Sequence, residues 1–207
     1  MAKTLQRAWK ASSPATASLL DAAMILCADH DLNVSTFTAR CAASAGSNPY
    51  AVVGAGLAAL RGFRHGGMTE RVEALFDEAV APKGARLVLE GRLRRGEALP
   101  GFGHPLYAGP DPRAALLLER AFAARAATAG AAVARALIAA ARDLTGEAPN
   151  IDFALVALAR IAGLPAGAPL QLLALGRTVG WIAHAIEQVE DGRLIRPRAR
   201  YVGTPPP

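Results

Sequence analysis

GAAVARALIAAARDL, residues 130–144, spaces its larger apolar side chains in a telling way. Val133, Leu137, Ala141 and Leu144 recur every three to four residues, which puts them on one face of an α-helix. Alanine, the strongest helix former, fills most of the positions between them. Toward the C-terminus, Asn150 can cap a helix over Ile151–Ala162. A break at 163–169 then precedes a helix expected over Leu170–Val189. Arg193–Val202 alternates weakly and is expected to be extended, and Pro205–Pro207 reads as a tail. Toward the N-terminus, Asp111-Pro112 is a helix start, because Asp can cap and Pro is tolerated at the first helical position. That pattern runs to about Ala127. Arg86–Gly96 reads as a short basic helix or turn, and Thr69–Val80 as a helix stopped by Pro82. Pro49–Arg61 and Thr36–Ala45 end at Gly62 and Gly46, and Ser18–His30 is amphipathic. Met1–Pro14 reads as a frayed lead-in rather than a transit or signal peptide. The expected architecture is all-α.

Composition agrees with that. Hydrophobic residues make up 52% of the 207, with few aromatic or β-branched ones. The longest apolar run, Ala51–Leu60, stops at Arg61, too short to span a membrane. The net charge of +6 is carried mostly by arginine, scattered through amphipathic segments with no basic arm. Arginine's planar fork suits carboxylates and phosphates, so an anionic small-molecule site is favoured over nucleic acid. Cys27 and Cys41 sit in apolar helical settings, as reduced residues of a cytoplasmic protein would, and lack zinc partners. No metal or nucleotide-binding fingerprint is present, so no cofactor is expected.

Of four histidines, three have unusual settings. His65 sits in Arg-His-Gly-Gly, where glycines let a ligand approach the backbone. His104 lies in a Gly/Pro loop, and His30 follows a helix end before a polar turn. His184, mid-helix behind Trp181, reads as structural.

The segments CADHDLNVSTFTAR (27–40), GFRHGG (62–67), LPGFGHPLYAGPDPRA (99–114), PNIDFAL (149–155) and GRTVGWIAHAIEQ…RLIRPRARYVG (176–203) resemble the successive C-terminal motifs of citrate synthases. Each is weak alone, and the five in order cover residues 15–203. The resemblance implies condensation of acetyl-CoA with oxaloacetate, as in the tricarboxylic acid cycle, or of propionyl-CoA in a 2-methylcitrate synthase. The methyl of an acyl thioester is a very weak acid, so a carboxylate removes its proton only if the enolate oxygen is stabilised at once. The resemblance assigns the base to Asp152 and the oxygen-facing donor to His65. His65 should act as a neutral imidazole, which a helix N-terminus would favour. His104 would polarise the oxaloacetate ketone. Arg113, Arg177 and Arg196 would bind its carboxylates, with His30 as a further donor. Arg196 would reach the partner's site in a homodimer. A cation in the first turn of a helix, as Arg113 is, is misplaced unless an anion sits there. Leu99, Pro100, Gly101, Phe102 and Gly103 would grip the adenine of CoA. Arg92, Arg94 and Arg95 read either as cations for its phosphates or as a solvated basic face.

The same resemblance divides the chain into large-domain parts, 15–66 and 166–203, and a small lid domain, 67–165, between tails 1–14 and 204–207. Family members carry a substantial helical region before the first histidine motif. Its lack here leaves a truncated product, one half of a two-chain enzyme partnered by a second citrate synthase-like chain, or a compact member. A non-catalytic partner-dependent subunit is a further alternative. Pro105 replaces an Arg of many relatives. Phe153-Ala154-Leu155 after Asp152 is more apolar than the Tyr-Ser common in relatives, which predicts a drier base with a raised pKa.

Overall fold

Short polar side chains start most of the longer helices. Asn33, Asn48, Asp111, Thr128 and Asn150 each turn a side-chain oxygen onto backbone N–H groups two or three residues ahead. The computed structural model describes residues 1–200, 202 and 203. The expected tail at 204–207 lies outside them. The helices are α1 (Ala2–Ala8), α2 (Thr16–Cys27), α3 (Val34–Ser44), α4 (Pro49–Leu60), α5 (Met68–Ala79), α6 (Ala85–Arg94), α7 (Pro112–Ala124), α8 (Ala129–Thr145), α9 (Ile151–Ala162) and α10 (Ala168–Asp191). Pro82–Gly84 forms a 3-10 turn between α5 and α6. Among the described residues there is no strand, only one isolated bridge, Phe102 to Pro149. Among those residues, no helix is long and apolar enough to cross a membrane.

The fold class is all-α as expected, with three local differences. Met1–Pro14 is not a frayed lead-in. Ala2 is buried, Leu5 and Trp9 pack on the core, and the Gln6 amide donates to Ala11 O at 3.2 Å and Ser13 O at 2.8 Å. Helix α7 stops at Ala124, because Arg125 leaves helical space and Thr128 caps the next helix. Residues 193–200 find no strand partner and remain coil, anchored by Ile195 N–H donating to Ser44 Oγ and Gln188 Nε2 donating to Arg193 O.

Helix α9 is apolar on all sides, and ten of its twelve residues are buried. It packs against α5, α7, α8 and α10. Helix α10 in turn packs against α2, α3 and α4. The two helices therefore tie together the segments that carry His30, His65, His104 and Asp152. The contact of α10 with α2 depends on glycine: a Cβ at Gly176 would stand 2.5 Å from Met24 O, and one at Gly180 would run into Ala28 O. Ala28 is two residues from His30. Gly180→Ala should therefore force backbone apart, destabilising the chain by roughly 1–3 kcal/mol, as overpacking does. A denaturant midpoint unchanged from wild type would show that α2 yields freely.

Candidate active site

Asn150 organises the floor of the site. Its Oδ1 accepts from Asp152 N and Phe153 N, starting α9, while its Nδ2 donates to Gly103 O at 2.9 Å. Asn150 N donates to Gly101 O and Gly103 N to Ala148 O, at 2.8 and 2.9 Å. The loop 99–104 is thereby laced to the start of α9. Gly101 and Gly103 both have positive φ, +83° and +71°, which this tight path requires. A Cβ on Gly101 would meet Val72 and Phe153.

Above that floor lies a cleft of about 610 Å³. It is lined by His30, His65, His104, Arg113, Asp152, Arg177 and all of Leu99–Gly103. Arg196 is not on it; it lies exposed in the coil after α10. Nor are Arg92, Arg94 and Arg95 on the cleft. Arg92 pairs with Glu78 at 2.6 Å and Arg95 with Glu97 at 2.5 Å. The cations at the cleft besides Arg113 and Arg177 are Arg64 and Arg71, which make no ion pair among the described residues.

The carboxylate of Asp152 accepts no hydrogen bond among the described residues. Burial pushes its pKa up to about 7, against the pull of Arg113 and Arg177, and Asp111 adds to the rise. Lining the same cleft are three imidazoles held neutral. Burial, then the charge of Arg177, lowers His65 to about 4. Burial, then Arg113 and His104, lowers His30 to about 4. His104 is lowered by burial and Arg113. The neutral state of His65 thus has a different cause from the helix dipole: α5 begins only at Met68, and His65 sits in the preceding turn.

The bonds set the tautomer of His104 and tie that of His65 to one hydroxyl. Leu106 N–H donates to His104 Nδ1 at 3.1 Å, so the proton of the neutral ring is on Nε2, available to a substrate oxygen. His65 Nε2 lies 2.8 Å from Ser35 Oγ, a residue the sequence reading did not single out. Ser35 Oγ donates to Asn33 Oδ1 at 2.8 Å and accepts the Trp181 indole N–H at 3.2 Å. The single Ser35 hydroxyl proton serves one of the two acceptors: on Asn33 Oδ1 it makes His65 Nε2 the donor to Ser35 Oγ, and turned to His65 it leaves the imidazole proton on Nδ1.

The two arginines are held differently. Arg177 is 3% exposed and its Nε donates to Cys27 O at 2.7 Å. Arg113 does have an anion at its helix start, but the anion belongs to the protein: Asp111 accepts from its Nε and Nη2 at 3.0 and 2.7 Å. The electrostatic argument for a ligand at Arg113 is therefore met by Asp111. Cys27 is fully buried and its thiol is pushed up to about 12 by burial, leaving it inert. His184 stands outside the cleft, accepting from Arg40 on Nδ1 and donating from Nε2 to Asp29 at 3.2 Å. Among the described residues no cluster of three or more His, Cys, Asp or Glu could hold a metal ion.

The same residues can be set against known proteins. The citrate synthase of Haloferax volcanii is 38% identical over 192 residues, covering 90% of this chain and 50% of its own length. The 2-methylcitrate synthase of Shewanella oneidensis is 34% identical over 200 residues, covering 95% and 53%. The chain spans about half the length of the curated relatives it matches. The structure superposes with a TM-score of 0.84 on citrate synthase from Thermoplasma acidophilum, solved with carboxymethyl coenzyme A and oxaloacetate, at 32% identity over 98% of this chain and 56% of that one. A citryl-CoA lyase from Hydrogenobacter thermophilus shares the fold, with a TM-score of 0.87 at 24% identity, over 100% of this chain and 85% of that one. The model of the citrate synthase C-terminal domain matches residues 1–198, so the match includes α1, which the motifs from residue 15 onward leave out. With nearly the whole chain matched and the motif histidines, Asp152 and two arginines on one cleft, the chain belongs to the citrate synthase family.

Proposed function

We propose that this cleft condenses an acyl-CoA with oxaloacetate. The observation that carries the reading is one carboxylate, Asp152, with no hydrogen-bond partner among the described residues, sharing a cleft with neutral imidazoles and four guanidiniums. Asp152 takes a proton from the carbon next to the thioester carbonyl while His65 donates to that carbonyl oxygen, giving an enol. The enol carbon attacks the ketone of oxaloacetate. His104 Nε2–H donates to the ketone oxygen as it becomes an alkoxide. Water then hydrolyses the citryl thioester and CoA leaves. Arg113 and Arg177 hold the oxaloacetate carboxylates, with His30 as a further donor. The loop Leu99–Gly103 lies along the CoA, and Arg64 and Arg71, rather than Arg92 or Arg95, are placed for its phosphates.

Arg196 enters this scheme only from a second subunit, which makes a homodimer, or a pairing with another citrate synthase-like chain, part of the proposal. Closure of residues 67–165 as a lid would exclude water from the enol step. The test is release of CoA thiol by the purified chain. Release with acetyl-CoA that needs oxaloacetate supports the reading, and running propionyl-CoA beside it decides the acyl group. A folded chain that releases no thiol with either, but binds oxaloacetate, is a partner-dependent subunit.

A further inference from the structure

Tyr107 has no place in the scheme above, yet three of the residues assigned to oxaloacetate converge on it. Its hydroxyl oxygen lies 2.9 Å from His30 Nε2. Its ring centroid is 4.8 Å from that of His104 and 5.8 Å from that of His30. The Arg113 guanidinium stands 5.8 Å over the same ring. The two imidazoles also meet edge to face at 5.2 Å. Tyr107 does not line the cleft. It lines a second hollow of about 710 Å³, which shares Gly103, His104 and Asn150 with the cleft. The phenol thus backs the imidazoles from outside the substrate's space.

We propose that Tyr107 is a positioning residue of the oxaloacetate site, its hydroxyl holding His30 Nε2 so that Nδ1 is the ring nitrogen presented to the substrate. The proposal rests on the reading of the cleft as an oxaloacetate site and deepens it. A ring nitrogen engaged from behind fixes both the tautomer and the orientation of an imidazole. With the phenol O–H as donor to Nε2, as the proposal has it, the ring proton is left on Nδ1, where it can bond a carboxylate or ketone oxygen. No other bond among the described residues engages either ring nitrogen of His30. Without the hydroxyl the ring can turn over and exchange tautomers.

Tyr107→Phe tests this, because it keeps the ring and removes one oxygen. Its dissociation constant for oxaloacetate, measured by calorimetry, should rise about tenfold, the usual worth of one well-placed hydrogen bond. Binding of CoA should not change. In a His30→Ala background the same substitution should add nothing, which a merely structural role for Tyr107 would not give. Nitrogen-15 spectra of the imidazoles in the substrate-free chain should show one neutral His30 tautomer in the wild type and a mixture in Tyr107→Phe. If the wild type binds oxaloacetate and Tyr107→Phe binds it equally well, the proposal is overturned while the reading of the cleft stands. If the wild type binds none, the reading of the cleft falls and takes the proposal with it.

Discussion

Asp152→Asn is expected to lower oxaloacetate-dependent thiol release by about 10²–10⁴-fold, the range a positioned general base supplies, and to stabilise the fold at pH 8. Both effects come from one fact. The carboxylate is desolvated, with no hydrogen bond among the described residues to support its charge, and its pKa stands at about 7 instead of 3.8. A raised pKa makes the ionised carboxylate a better acceptor for a carbon-bound proton whose enolate oxygen is stabilised at the same moment. The carboxylate is also a burden on the folded state whenever it is ionised. A neutral amide is cheaper to desolvate, so the variant should gain roughly 1–3 kcal/mol above pH 7. The folded form holds the extra proton between 3.8 and about 7, so the gain should shrink as pH falls through that window and vanish near its lower end. A variant retaining about a tenth of the wild-type rate would remove Asp152 from the role of base.

The pH profile of the wild type follows from the same group. Proton abstraction needs the ionised form, so kcat/KM should fall on the acid side of about pH 7. Arg113 and Arg177 restrain the pKa in the empty cleft, and oxaloacetate would neutralise both. With oxaloacetate bound, the acid limb should therefore move to higher pH. The histidines act on stability in the opposite sense. His30 and His65 fall from 6.5 to about 4 on folding, so the stability of their neutral forms is present above 6.5 and lost as pH drops toward 4.

What the sequence made legible was local or ordered along the chain. Asn150 and Asp111 could be read as caps because a cap acts on N–H groups two or three residues away. The apolar spacing of 130–144 predicted α8 within a residue at each end. The residues that share the cleft were legible through the order of motifs, not through any one spacing. Contacts between distant segments left no such trace. Ser35 meets His65 across 30 positions and Tyr107 meets His30 across 77, and no periodicity links either pair. Helix α1 was missed because its apolar residues are few, and its order comes from packing on α2. The setting of Arg113 was misjudged for a related reason. Asp111 was read as a cap alone, while in the fold its carboxylate also serves the guanidinium and a second helix.

That shared duty makes Asp111→Ala the substitution expected to destabilise most. Asp111 is 2% exposed, and its carboxylate accepts four bonds: Arg113 N at 3.0 Å, Arg113 Nε at 3.0 Å, Arg113 Nη2 at 2.7 Å and Ile151 N at 3.1 Å. Alanine would leave a guanidinium with only 11% of its side chain exposed unpaired, remove the cap of α7 and orphan an N–H at the start of α9. Breaking one side of such a pair typically costs about 3–5 kcal/mol, a loss that denaturant unfolding would read. Removing both charges should hurt less than removing one. Asp111→Ala combined with Arg113→Met should therefore be the more stable of the two variants, even though it carries more changes. Burial alone would push the Asp111 carboxyl up, but the Arg113 bonds and the two backbone N–H groups outweigh burial and hold it below 3.8. Its stabilising share is thus present above that value and is lost as pH falls through the lowered one. The gap between wild type and Asp111→Ala should narrow in strong acid, and a gap that stays constant there would show that shape, not charge, holds α7 and α9 together.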